Sequence, residues 1–369
     1  MGKTVTNSDV FKLIEAWAPK NLAYDWDNVG LQIGSHNQPV RKIMVTLDVI
    51  ESVVDEAIEN KVDLIIAHHP LLFKPLNQLN LDTWKGRIIH KLIANNITVY
   101  AAHTNLDIAD GGVNDMLCEV LGINNKEILK TEGEKFLYKL AVYVPETHLN
   151  QVVDALSKEG AGHLGNYSHC TFQTKGTGTF MPLADAEPFI GKQNELEKVK
   201  EVKVETIVKE SILPNVIDSV IAAHPYEEVA YDVYPLKMDG EKLGIGRIGT
   251  INEEMSLDSF VDHVKNSLGL SHVKVSGNLS KRINRVAVLG GSGEKYIYHA
   301  LRQKADVLIT GDMTFHFAQE AIELGLAVID AGHYIEQIMK TGTQKYLQDK
   351  LTNVDIIISE TNTDPFQYR

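Results

Sequence analysis

The chain has 369 residues, 44% of them hydrophobic and 23% charged, the composition of a globular protein of two or three domains. Its formal net charge of -13 argues against direct nucleic-acid binding, and its densest Lys stretch, 192–209, alternates Lys with Glu and reads as a solvated face. Only Cys118 and Cys170 occur, without a nearby partner, which excludes a disulfide framework and a thiolate zinc site. The longest apolar runs are strand-sized, well short of the roughly 20 residues that span a bilayer. No apolar core of a secretory signal opens the chain, so a cytoplasmic location is expected.

In chain order, Thr6-x-x-Asp9 predicts a capping box opening a helix with Val10, Leu13, Ile14 and Trp17 inward. An apolar β-rich run at 42–48 is followed by a helical pattern at 51–60, a strand at 63–67 and a helix near 84–95. A strand at 97–102 and a helix at 112–121 complete this stretch. Such alternation predicts the start of a doubly wound α/β sheet. The middle changes grammar: strand 136–144, helix 146–159, a long Thr/Tyr-rich pair over 167–180, strand 199–208 and helix 212–223. Its β-α-β-β-α-β order suggests a split βαβ, ferredoxin-like α+β unit. The first grammar then returns, with strands at 286–289, 307–309, 326–330 and 355–359. Polar, turn-prone boundaries fall at 132–134 and at 237–242, the latter containing Asp239 and Gly240. The expected organisation is a discontinuous doubly wound α/β metal-binding domain, 1–132 and 239–369, with an inserted domain at 133–238.

Ligands of α/β sheets collect at the carboxyl ends of the strands, so polar residues directly after a buried strand draw attention. Three strands end that way. One delivers His68-His69-Pro70, the next His103 and Asp107, and the third His333 with Glu336 three residues later. Imidazole and carboxylate suit Zn, Mn, Fe or Ni. His68 and His69 can face one site only if the backbone bends there, which Pro70 allows. Three His and two acids exceed the needs of one open tetrahedral ion and fit two divalent metal ions about 3.5 to 4 Å apart. In that expectation Glu336 bridges, His69 and Asp107 favour one ion, and His68 and His333 favour the other. Zn is foremost, with Mn, Fe or Ni compatible. His103 is a candidate base just outside the ligands, or an orienter of Asp107, and equally a structural strand-end His.

Other motifs stay open. Gly290-Gly291-Ser292-Gly293 could present backbone N–H groups to a phosphate but matches neither nucleotide fingerprint, so a tight turn is favoured. Asp312 and His316 line the pocket or cap the next helix, and the 25–32 stretch lines the mouth of the site or packs as an ordinary loop. The compact His224-Pro225-Tyr226-Glu227-Glu228 is read as a turn and is not added to the metal site.

Five segments together resemble the GTP cyclohydrolase 1 type 2 homologues, also called interacting-factor-three-like proteins. They are AHHPLLFKPL at 67–76, HTNLD at 103–107, AHPYEEVAYDVYP at 223–235, TGDMTFHFAQE at 310–320 and GHYIEQ at 332–337. The resemblance covers nearly the whole chain. It implies metal ligands at His68, His69, Asp107, His333 and Glu336, a PII-like inserted domain, and a toroidal homohexamer with dinuclear sites facing inward. Some members place the last carboxylate four residues after the final His, where this chain has Gln337, which leaves the register of Glu336 to be settled. The family name implies opening of the GTP imidazole ring by attack at C8. The first expectation is therefore a metal-dependent hydrolase of a nucleotide or related small molecule. The alternative is a non-enzymatic metal-trafficking or regulatory protein with a ligand-sensing insert, and a DNA-linked role through a partner ranks third.

Overall fold

The computed structural model describes residues 4–134, 136–237, 242–367 and 369. The chain divides into two compact units, one formed by 1–132 with 243–369 and the other by 133–242. Residues 239 and 240, at the sequence-derived edge of the insert, lie outside the described residues. At the other edge, 132–134 closes a strand and not a turn. Among the described residues no helix is long and apolar enough to cross a membrane.

Helix α1 (Asn7–Trp17) opens with the capping box that the sequence predicts: Thr6 N donates to Asp9 Oδ2 at 2.9 Å, and the Thr6 hydroxyl accepts from Asp9 N. It buries Val10, Phe11 and Ile14, with Leu13 and Trp17 at the margin of the core. β1 (Gly30–Ile33), β2 (Lys42–Thr46), α2 (Glu51–Glu59), β3 (Leu64–Ala67), α3 (Trp84–Ala94) and β4 (Thr98–Ala101) follow. The short α4 (Thr104–Ile108), α5 (Val113–Val120) and β5 (Asn124–Glu134) lead into the second unit. That unit comprises β6 (Leu137–Pro145), α6 (Leu149–Lys158), β7 (Thr171–Phe180), β8 (Glu197–Lys209), α7 (Leu213–Ala223) and β9 (Tyr231–Pro235). The first unit resumes with β10 (Lys242–Ser256), α8 (Leu257–Leu268), β11 (Lys274–Ser276), β12 (Arg282–Ser292) and α9 (Ile297–Arg302). It ends with β13 (Val307–Gly311), α10 (Phe315–Glu323), β14 (Ala327–Asp330), α11 (Ile338–Gln348) and β15 (Asp355–Ile358).

The first unit is mixed α/β, and its strands form two separate sheets. One has the order β1-β4-β3-β2-β15, the other β11-β14-β13-β12-β10-β5. β15 pairs in parallel with β2, and β5 lies at the edge of the other sheet, so each half of the chain supplies an edge strand to its counterpart. Strand alternation alone carries no information about such exchanges.

Residues within each central strand alternate between faces with the period of two that a pleated strand imposes. Ile43, Val45, Leu64 and Ile66 of one sheet and Val286, Val288, Val307 and Ile309 of the other share a core with Ile14, Leu117, Phe260 and Met339 from α1, α5, α8 and α11. The opposite face of the first sheet, including Met44, Ile65 and Val99, packs on α2 and α3. The opposite face of the second, including Ala287, Leu308 and Val328, packs on α9 and α10. Both sheets are thus covered on both sides, which explains their continuous apolar runs.

In the second unit an antiparallel sheet, β7-β8-β6-β9, packs its Leu140, Val142, Val202 and Val204 against Val152 and Leu156 of α6 and Val216 and Val220 of α7. The Thr/Tyr-rich segment read as a pair forms the single strand β7, paired with β8 from Thr171↔Thr206 to Phe180↔Glu197. The strand left unplaced by the sequence is β9, after the His224 turn.

A buried ion pair links the two chain halves of the first unit. The Arg247 guanidinium, on β10, donates to Asp115 Oδ2 on α5 at 2.7 and 3.0 Å and to the carbonyls of Gly244, Gly246 and Ala109. Burial works to raise the Asp115 pKa, but the Arg247 and Lys126 charges outweigh it and hold the carboxyl below its usual range. Arg247→Ala leaves Asp115 with less compensation and should destabilise the fold by about 3–5 kcal/mol, read as a lower urea midpoint. The Arg247→Met/Asp115→Leu double variant should lose less.

Candidate metal centre

Register places the site. Thr46, Ala67 and Ala101 lie side by side across the parallel β2, β3 and β4, so Asp48, His68, His69 and His103 all emerge just beyond one row of the sheet. In the second sheet Thr310 pairs with Asp330, and Asp312 and His333 follow directly. The chain bends at His68 and His69, ahead of Pro70, and both rings face the cluster. The 333–337 segment is a 3₁₀ turn, in which residues three apart eclipse one another. This brings Glu336 Oε2 to 3.1 Å from His333 Nε2.

Glu336, 3% exposed, is the centre of the group. Its Oε2 lies 3.0 Å from His69 Nε2 and 3.8 Å from His68 Nε2, which is itself 3.5 Å from Asp107 Oδ1. Three triads could each hold an ion: His68, His69 and His103; His69, His333 and Glu336; and His68, Asp107 and Glu336. Glu336 belongs to two of them. His68 Nε2 and Asp107 Oδ1 are buried without a hydrogen-bond partner. Orphaned polar atoms are costly in an interior, and these two are a lone pair and a carboxylate oxygen, the donors a cation takes.

Every imidazole is held by its Nδ1. His68 Nδ1 donates to Ala102 O at 2.8 Å; His69, His103 and His333 use Nδ1 toward Asp48 at 2.7 Å, Asp27 at 2.9 Å and Asp312 at 2.6 Å. Each Nε2 is thereby left for the cluster, the arrangement by which outer carboxylates orient metal-binding histidines. The Asp48 carboxylate is held in turn by the C-terminal segment, where Thr363 Oγ1 donates to Asp48 Oδ2 at 2.5 Å. That segment is fastened to Glu56, which accepts from Ser359, Glu360 and Thr361 at 2.6 to 3.2 Å. Glycines make room: a Cβ at Gly291 would lie 2.5 Å from Glu336 Oε1.

The charges follow from burial and neighbours. Burial keeps His68 low, hence neutral. Burial also opposes a charge on His69, but hydrogen bonds to Asp48 and Glu336 outweigh it and push the ring up to about 10. Glu336 raises His333 to about 9. Asp107 is driven well above the carboxylate range by burial and by the Glu336 charge. Burial would raise Glu336 too, yet its contacts with His333, His68 and His69 hold it well below. Protons on His69 and His333 thus supply the positive charge that this buried carboxylate requires.

The cluster lies at the floor of a cavity of about 540 Å³, with Tyr24, Trp26 and Phe73 among its walls. All five sequence-derived ligand candidates come together. His103 joins them, with Asp27 as its partner where the sequence had suggested Asp107. Of the 25–32 stretch, Trp26 lines the cavity and Asp27 orients His103, while Asn28 and Gln32 bond to Leu72 in the facing loop. Asp312 holds His333, but His316 is exposed on α10 and contacts Gln319. Gly290 and Gly291 serve the close approach of Glu336. Asp48 was missed, although it ends a strand as His68 does; Thr363, 315 residues away from it, has no sequence signal.

The fold and cluster define an α/β protein with His, Asp and Glu groups able to hold a metal ion. The model of the Duf34/NIF3 (NGG1p interacting factor 3) family matches residues 5–365, and the chain belongs to that family. A Bacillus subtilis relative named GTP cyclohydrolase 1 type 2 homolog is 50% identical over 372 residues, covering 100% of both chains. A Halalkalibacterium halodurans relative of the same name is 49% identical over 370 residues, 99% of this chain and 100% of that one. Among solved structures, a Bacillus cereus protein related to NIF3 superposes with a TM-score of 0.94 at 49% identity, and a Staphylococcus aureus protein with 0.79 at 33%; each match covers 100% of both chains.

Metal uptake near pH 7.5 should expel about two protons, from His69 and His333, measurable as a dependence of the calorimetric binding heat on buffer ionisation enthalpy. In metal-free protein the same raised pKa values stabilise the fold fully below pH ~6.5, and that contribution is lost as pH rises through about 9 to 10. Asp48→Asn should weaken metal binding about 10- to 100-fold, by competition with a chromogenic chelator, while circular dichroism stays unchanged.

Proposed function

We propose that the chain binds two divalent metal ions and hydrolyses a nucleotide or related small molecule. The observation that carries this reading is the Glu336 carboxylate within 3.0 to 3.8 Å of three imidazole Nε2 atoms, beside the orphaned donors of His68 and Asp107. His68, His69, Asp107 and His333 would hold the ions, with Glu336 shared between them and His103 adjacent. Bound there, two ions would supply Lewis acidity toward a substrate oxygen and acidify water in the cavity. A donor set of imidazole and carboxylate suits Zn, with Mn, Fe or Ni as compatible ions.

His103 would move the proton. Burial of Asp27 is outweighed by the His103 contact and the Thr104 hydrogen bonds, which bring its carboxyl down to about 2. The ionised Asp27 fixes the His103 tautomer with its proton on Nδ1, so Nε2 can accept one at the cavity. Tyr24, stacked on Trp26 at 5.5 Å, and Phe73 offer flat surfaces to a heteroaromatic ring. The relatives' name, GTP cyclohydrolase 1 type 2 homolog, supports a purine nucleotide as the first substrate to try.

A second reading is metal trafficking or regulation, with the second unit as a PII-like sensor. Its β-α-β-β-α-β order and antiparallel four-stranded sheet support that likeness, and the metal cluster uses none of its residues. Self-association, as a homohexamer, fits the run of exposed Phe73, Leu76, Leu79, Leu81 and Trp84, and native mass spectrometry should register it.

Protein loaded with Zn, Mn, Fe or Ni should turn over a member of a nucleotide panel headed by GTP. His68→Ala and Glu336→Ala should each lower the rate by at least about 100-fold. Retained rates in both variants would sink the hydrolase reading. No turnover, with ready metal transfer to an apo-acceptor, would favour the second.

A further inference from the structure

We propose that the second unit carries a binding site for a small organic cation with an apolar or aromatic body. The site is a cavity of about 460 Å³ walled by Tyr143, Phe180, Phe189 and Tyr226. It involves none of the residues of the metal cluster, and the proposal is independent of the reaction assigned there.

The wall is built by the His224-Pro225-Tyr226-Glu227-Glu228 turn, the one strong motif that the metal centre leaves unused. His224 is buried, and its Nε2 donates to Tyr143 O at 2.9 Å while its Nδ1 accepts from Tyr226 N at 3.1 Å. Both ring nitrogens are committed with a single proton, so His224 is a neutral brace that presets the turn. The Tyr226 ring lies 5.8 Å from Phe180, edge-on, and 6.4 Å from Phe189, tilted. Its hydroxyl donates to Glu201 at 3.0 Å. Glu227 accepts from Glu187 N at 3.2 Å and so pins the segment between β7 and β8 that closes one side. These hydrogen bonds hold the wall of the cavity in place.

The charge of the lining selects the occupant. Glu201, Glu227 and Glu228 reach the cavity, and among the described residues no Lys, Arg or His lines it. Glu228 has no hydrogen bond or ion pair among the described residues. Among its charged lining side chains a phosphate-bearing ligand would meet only like charge, which disfavours nucleotides in this cavity. A neutral apolar ligand would leave the carboxylates unused. A cation gains from ring faces and carboxylates together, by about threefold to thirtyfold from the rings alone.

The probes are three molecules sharing one aromatic body: 2-phenylethylammonium, 2-phenylethanol and phenylacetate, titrated into full-length protein by saturation-transfer NMR. The ammonium should bind saturably and about tenfold more tightly than the alcohol, with phenylacetate not binding. Chelator-treated and metal-loaded protein should give the same result. Phe189→Ala, at a side chain already 53% exposed, should weaken the ammonium about tenfold, and Glu228→Gln by a few fold, with unchanged thermal melts. Equal binding of ammonium and alcohol, displacement by ATP, no saturable ammonium binding, or indifference to both substitutions would each overturn the proposal.

Discussion

A carboxylate almost wholly removed from water, Glu336, must be met by positive charge, and the first unit is arranged around that demand. Without an ion, protonated His69 and His333 meet it. Asp107, whose Oδ1 lacks a hydrogen-bond partner, is instead pushed well above the carboxylate range by burial and by the Glu336 charge. Two acids within one small cluster are therefore shifted in opposite directions, because imidazole contacts outweigh burial at Glu336 while burial dominates at Asp107. A cation entering the cluster would displace protons from the first and release the second from its penalty, so metal affinity and the acid–base state of the site are one property.

The outer layer serves the same end. Four imidazoles are fixed through Nδ1 by Ala102, Asp48, Asp27 and Asp312, and these holders come from different strand ends and loops of both sheets. Ring orientation is thus set by the packing of two sheets on a common helical layer. Even the C-terminal segment participates, through Glu56 and then Asp48. Stiff positioning of this kind keeps like-charged and lone-pair-bearing groups close together, an arrangement that flexible loops would relax.

The second unit follows different rules. Its sheet is antiparallel and one-sided, its helices cover one face, and its cavity is aromatic and acidic where the first unit's is imidazole-rich. The two sites proposed above, one for metal ions and one for an organic cation, both suit the net charge of -13 of the whole chain.

The sequence by itself determined the α/β class, the change of grammar over the middle segment, and the His68, His69, Asp107, His333 and Glu336 group. These are local signals: an apolar run of strand length, a bend at a proline, a polar residue immediately after a strand. Asp48 obeyed the same rule and went unread, and the β9 strand was hidden because its residues are half exposed and its pattern weak. What only the tertiary structure decided were the pairings. The strand order of the two sheets, β15 beside β2, Asp27 beside His103 and Thr363 on Asp48 all join residues whose mutual attraction depends on position in space. The 3₁₀ turn over 333–337 is of the same kind: it brings Glu336 beside His333 and close to Gly290 and Gly291, an approach that depends on packing and not on composition.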